Sequence, residues 1–177
     1  MTAPPADADL LLPPRRVRRA LGDMPSPSLA TMRHRGQLDG LLGPSDERGY
    51  TRFTMTGFLA LALYRSFAEL KIEPPRELPP PAFLQFASLW LRTRGTARPV
   101  REAVFRWYGR PGAEDSRFSR AINEDALPPD QQPAPGARIT LRLDLDVICG
   151  EAERALLEEP QPGRTPEEIL GLPADVE

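Results

Sequence analysis

The chain has 177 residues, 40% of them hydrophobic, with 22 prolines, a mean hydropathy of −0.41 and a net charge of −2. That suits one domain, or two small ones, with linker or tail besides, and it argues against a protein that is basic throughout. A single cysteine, Cys149, excludes an internal disulfide framework and any zinc site built on paired cysteines, and no apolar run nears the roughly 20 residues that span a bilayer.

In chain order, residues 1–14 are rich in Pro, Ala and Asp and read as a disordered tail. They carry acids and no basic n-region, so no signal peptide is read and a cytoplasmic location is expected. Residues 15–21 form a short helix, with Val17, Ala20 and Leu21 on one face and Gly22 stopping it. Residues 25–28 turn the chain. Either Ser26, with Pro27 at the first helical position, or Ser28 caps a second helix that carries Leu29 and Met32 and runs into Gly36. Leu38, Leu41 and Leu42 form an apolar knot, and residues 45–49 form a polar hairpin tip. Tyr50, Thr51, Arg52, Phe53 and Thr54 then alternate as a half-buried strand does. Thr54 or Thr56 caps a strong helix over 56–70, whose apolar stripe of Phe58, Leu59, Leu61, Ala62, Leu63, Phe67 and Leu70 demands a core.

Residues 73–81 hold five prolines and read as a semi-rigid spacer. Beyond it the pattern predicts helices over 82–93 and 99–108, then irregular chain over 112–135 with a helical turn or two at 116–123. Residues 137–148 alternate Ile139, Leu141, Leu143, Leu145 and Val147 against polar neighbours. They read as one long strand in need of a partner, and pairing with a second copy of the chain across a two-fold axis would supply it. A short helix over 151–158 and a capped piece at 165–170 complete the series. The organisation expected is a tail (1–14), a binding domain (15–72), a linker (73–81), a C-terminal module (82–159) and a second tail (160–177). The fold class is mainly α with minor β (α+β).

Charge divides along the same line. All basic residues but Lys71 are arginine, and residues 15–71 carry a net +5 while the rest of the chain carries −7. A basic half joined to an acidic half is the layout of a binding domain with an assembly or effector module. The carrying residues are Thr31-Met32-Arg33-His34-Arg35, then Gly40-Leu41-Leu42, then Arg48-Gly49-Tyr50-Thr51-Arg52-Phe53-Thr54 with a helix behind. On these, residues 17–72 resemble the N-terminal domain of MerR-type winged-helix regulators, and more loosely the excisionase-like proteins. The resemblance covers roughly a third of the chain. It implies a winged helix-turn-helix that binds double-stranded DNA, but the long coiled-coil dimerisation helix of MerR proteins has no counterpart here.

Arg33 and Arg35, with His34 between them, are expected on the exposed face of the second helix, where an arginine bridges guanine O6 and N7. Arg48, Arg52 and the Tyr50 hydroxyl are expected to meet phosphate or the minor groove, although Tyr50 reads equally as the edge of a core. Ser28 and Thr31 add phosphate contacts near a helix start. An enzyme is not expected. The only histidine and the only cysteine stand more than a hundred residues apart, and no phosphate-cradling glycine loop occurs. Asp144 and Asp146 share a strand face with Arg142, which reads as an ion-paired surface. No metal or cofactor is expected. The sequence thus points to a bacterial DNA-binding regulator, homodimeric through its C-terminal module, with a partner in the transcription machinery possible. The alternative is a non-enzymatic adaptor, or phage or plasmid accessory factor, whose winged helix binds protein.

Overall fold

The computed structural model describes residues 11–22, 26–45, 51–69, 78–109, 117–123 and 136–158, without the side chains of residues 26–28 and 68. About 50% is helix and 23% strand, a mixed α+β fold. Helices α1 (Pro14–Ala20) and α2 (Ser26–His34) lead to hairpin strands β1 (Leu42–Ser45) and β2 (Thr51–Phe53). α1 starts on a proline, whose missing N–H would have no helical partner there, and it buries Val17. α2 ends in a Schellman motif. Gly36 takes φ +68°, its N–H donates to the Arg33 carbonyl at 3.0 Å, and Gln37 N–H donates to that of Met32 at 2.8 Å.

The expected disordered tail needs a correction at its end. Leu12 is fully buried and exchanges two 2.8 Å backbone hydrogen bonds with Phe53, so it lies beside β2 as a one-residue third strand. An apolar side chain next to the hairpin base gains more from burial than the chain loses in ordering so short a stretch.

Helix α3 (Met55–Glu69) follows directly. Thr54, not Thr56, is its cap: the Thr54 hydroxyl accepts from Gly57 N–H at 2.9 Å, and Thr54 N–H donates back to the Leu41 carbonyl at 3.2 Å. The Leu41 backbone therefore crosses the first turn of α3, and it does so over a glycine. A Cβ on Gly57 would stand 1.9 Å from the Leu41 oxygen. Every residue from Gly57 to Leu63 is buried, because α3 is covered on several sides by a 3-10 turn (Pro80–Phe83), α4 (Leu84–Thr93) and α5 (Leu145–Glu158). A helix apolar all round has nowhere else to go.

Two expected elements are different. Residues 99–108 hold no helix but a strand, β3 (Glu102–Trp107), and the expected turns at 116–123 are β4 (Phe118–Ile122). With β5 (Ile139–Asp144) they make an antiparallel sheet in the order β4-β3-β5. Ala103, Phe105 and Trp107 face inward at period two, and their β-prone bulk fits a pleated surface between two partners better than a helix. Phe105 is the sheet's anchor, with ring centroids 5.2 Å from Phe86, 5.9 Å from Phe83 and 6.2 Å from Phe118. Asn123, at φ 42°, holds the start of β3: its Oδ1 accepts from Arg101 and Glu102 N–H at 2.8 and 3.1 Å.

The long strand over 137–148 also stops early, at Asp144, and it pairs with β3 inside the chain instead of with a second copy. The cause is a cap. The Asp144 carboxylate accepts from Val147 N–H at 3.0 Å and starts α5. Asp144 and Asp146 thus form no strand-face pair. Asp146 sits in the first helical turn, accepts from Trp90 Nε1 at 2.7 Å and faces Arg101 Nε at 3.5 Å. From there α5 buries Leu145, Cys149, Ala152 and Leu156 along one stripe.

Residues before and after the proline-rich stretch share one core, from Leu12 and Phe58 through Phe105 to Leu156. A polar clasp joins its two ends. Arg16 is buried and donates from Nη2 to the Leu156 carbonyl at 2.8 Å, near the negative end of α5. Arg16→Met keeps the apolar stem and leaves that carbonyl without its donor. We expect it to lower stability by about 1–3 kcal/mol, read as a shifted urea midpoint at unchanged slope.

Burial has a chemical consequence for Cys149. It pushes the thiol well above its ordinary value, and the carboxylates of Glu153 and Asp146 push the same way. The stability this adds is fully present below the unfolded thiol's pKa, roughly 8.5, and is lost as pH rises above it. At pH 8 a disulfide reagent should modify Cys149 only as fast as the chain opens, and mild denaturant should accelerate the reaction. Rapid labelling of the native chain would contradict the burial.

Candidate nucleic-acid interface

The second helix presents the expected face. Leu29 and Met32 are buried, while Thr31, Arg33, His34 and Arg35 are exposed. The spacing dictates this: positions 29 and 32 lie three apart on the core side, and the Schellman turn at Gly36 carries Arg35 clear of the last turn. Ser28 belongs to the first turn of α2, with its side chain outside the described set. On the hairpin, Arg52 is half-buried in β2, and Arg48 and Tyr50 lie outside the described residues.

Arg33 departs from the expected outward aim. Its Nη2 donates to the Thr51 hydroxyl at 3.2 Å, which leans the guanidinium across the seam between α2 and the hairpin. That seam is a groove of about 270 Å³. Arg15 and Arg18 of α1 line it together with Arg33, and Leu29, Leu38, Leu42 and Phe53 are among the residues that form its apolar part. Three arginines from two helices therefore line one opening, while the reading from sequence brought only Arg33 to it. Arg15 and Arg18 carried a usable signal: they stand three apart around the buried Val17, hence on one side of α1.

Comparison with known proteins yields no kinship: no family model, curated protein or solved structure matches the chain. The site must be judged by its own chemistry. Guanidinium groups in a planar fork suit phosphate oxygens, and an exposed helix of this length fits a major groove. The same groove, with its apolar lining, also has room for an apolar side chain.

Proposed function

We propose that the chain binds double-stranded DNA sequence-specifically through α2 and the β1–β2 hairpin, as a winged-helix regulator of transcription of the MerR-like type in the bacterial cytoplasm. The observation that supports this reading is the meeting of Arg15, Arg18 and Arg33 at one groove, with Arg33 tied to the hairpin through Thr51. In this reading α2 lies in the major groove. Arg35 reaches base edges with Thr31 and His34 beside it, while Arg33, Arg15, Arg18 and Arg52 meet phosphates, with Ser28, Arg48 and Tyr50 extending the contact. Arg33 moves from base reading to backbone positioning because its bond to Thr51 holds it at the seam. Homodimerisation would run through the C-terminal half, where β4 and β5 are the outer strands of the three-stranded sheet.

Capture of genomic fragments by the purified chain, followed by sequencing, tests the proposal. A recurrent motif supports it, and a palindromic motif supports the dimer. The apolar lining of the groove favours a second reading, an adaptor that receives a protein segment carrying acidic and apolar residues. Enrichment of no fragment at low salt, with a stoichiometric protein partner recovered, would decide for that adaptor.

A further inference from the structure

We propose that the chain's own residues 165–172 seat in the arginine-lined groove between α1, α2 and the hairpin, and so shut it against an outside partner. The groove suits an acidic and apolar segment. Arg15 and Arg33 are exposed where they line it, and no acid is among the described residues that do so. Arg33 bonds the neutral Thr51 hydroxyl, which leaves its charge uncompensated, and a carboxylate would add a charge-assisted bond. Ala30 is exposed and Leu42 half-buried at the same opening, so apolar surface stands beside the charge.

The sequence past α5 supplies such a segment. Residues 159–177 lie outside the described residues, but their chemistry is plain. From 165 to 177 stand Glu167, Glu168, Asp175 and Glu177 and no basic residue, with Ile169, Leu170 and Leu172 interleaved. Thr165, Pro166 and Glu168 spell a helix start, and a short amphipathic turn is what an apolar groove receives. Residues 1–10 are acidic too, but Leu10 is their one leucine and no aliphatic cluster accompanies it.

Position favours the same occupant. Arg16 donates to the Leu156 carbonyl, so α5 ends against α1, and Arg15 and Arg18 on that helix line the groove. From Glu158 to Thr165 the chain can extend about 25 Å, against a diameter of roughly 10–12 Å for the helix it must pass. The docking rests on this geometry and charge match. That it excludes DNA rests on the nucleic-acid reading.

Hydrogen exchange of the full chain tests the docking without DNA. Amides of residues 168–172 should exchange about tenfold or more slowly than in an unstructured chain, at a rate independent of protein concentration. Arg15→Glu with Arg33→Glu should remove that protection while circular dichroism stays native, and so should Glu167→Lys with Glu168→Lys. All four changes together restore the charge match and should restore protection. If the arginine variant fails to fold, the Glu167→Lys, Glu168→Lys variant carries the test. Absence of protection in the parent, or protection that survives both reversals, would overturn the proposal. So would protection that grows with concentration, which would assign the groove to a second copy's segment. Ile169→Asn with Leu170→Asn, which changes no charge, should also tighten binding of a captured genomic duplex by about threefold or more. Unchanged affinity once protection is lost would overturn the exclusion of DNA and leave the docking standing.

Discussion

Gly57→Ala is expected to cost about 3 kcal/mol or more, enough to leave a marginal domain largely unfolded. The position is an ordinary helical one, and alanine there would gain about 1 kcal/mol of helix propensity over glycine. Sterics decide the sign. The new Cβ would stand 1.9 Å from the Leu41 carbonyl oxygen, 2.6 Å from its carbon and 2.7 Å from its Cα, all backbone atoms that no rotamer change can move. Relief would require lifting the Leu41 segment off α3, which breaks the Thr54–Leu41 bond and unseats the base of the hairpin. Urea denaturation measures the effect. A variant as stable as the parent would mean that the Leu41 segment does not cross α3 at this glycine.

The second large effect concerns binding. Arg33→Ala combined with Arg52→Ala should abolish the mobility shift of a cognate duplex while the far-ultraviolet circular dichroism stays native. Arg33 is exposed, and its bond to the Thr51 hydroxyl lies at the surface. Surface substitutions of that kind rarely cost more than about 0.5 kcal/mol. For the parent, affinity should fall steeply with salt, at about −0.9 in the logarithmic slope for each phosphate neutralised. Removing either arginine alone should flatten that slope by about 1. A shift that persists unchanged in the double variant would reject the proposed face. A salt-insensitive complex would point to a protein groove instead.

Much of the fold was legible because its signals are local. Gly36 ending α2, threonine capping α3 and the apolar face of α4 all lie within a few residues of what they determine. β3 was not legible in this way. Val100, Val104, Phe105, Trp107 and Tyr108 match a helical stripe as well as Ala103, Phe105 and Trp107 match a strand, and the choice falls to β4 and β5, which arrive 11 and 32 residues later. Asp144 misled for a related reason: Leu143, Leu145 and Val147 carry the alternation straight through the cap. At the candidate interface, the exposed arginines of α2 could be read from spacing. The approach of Arg15 and Arg18 to Arg33 is tertiary, and so is the tilt that Thr51 imposes.

The shared core around α3 bears on how such a chain could be rebuilt or controlled. Its first 72 residues are not a transplantable head: severed there, α3 would lose the cover of the 3-10 turn, α4 and α5, and Phe67 its edge contact with Phe83. Nor would a signal received against α5 have to swing one body on a tether. It would reach the groove as a small slide of packed helices, passed on by α1, whose Arg16 holds the end of α5 and whose Arg15 and Arg18 border the opening.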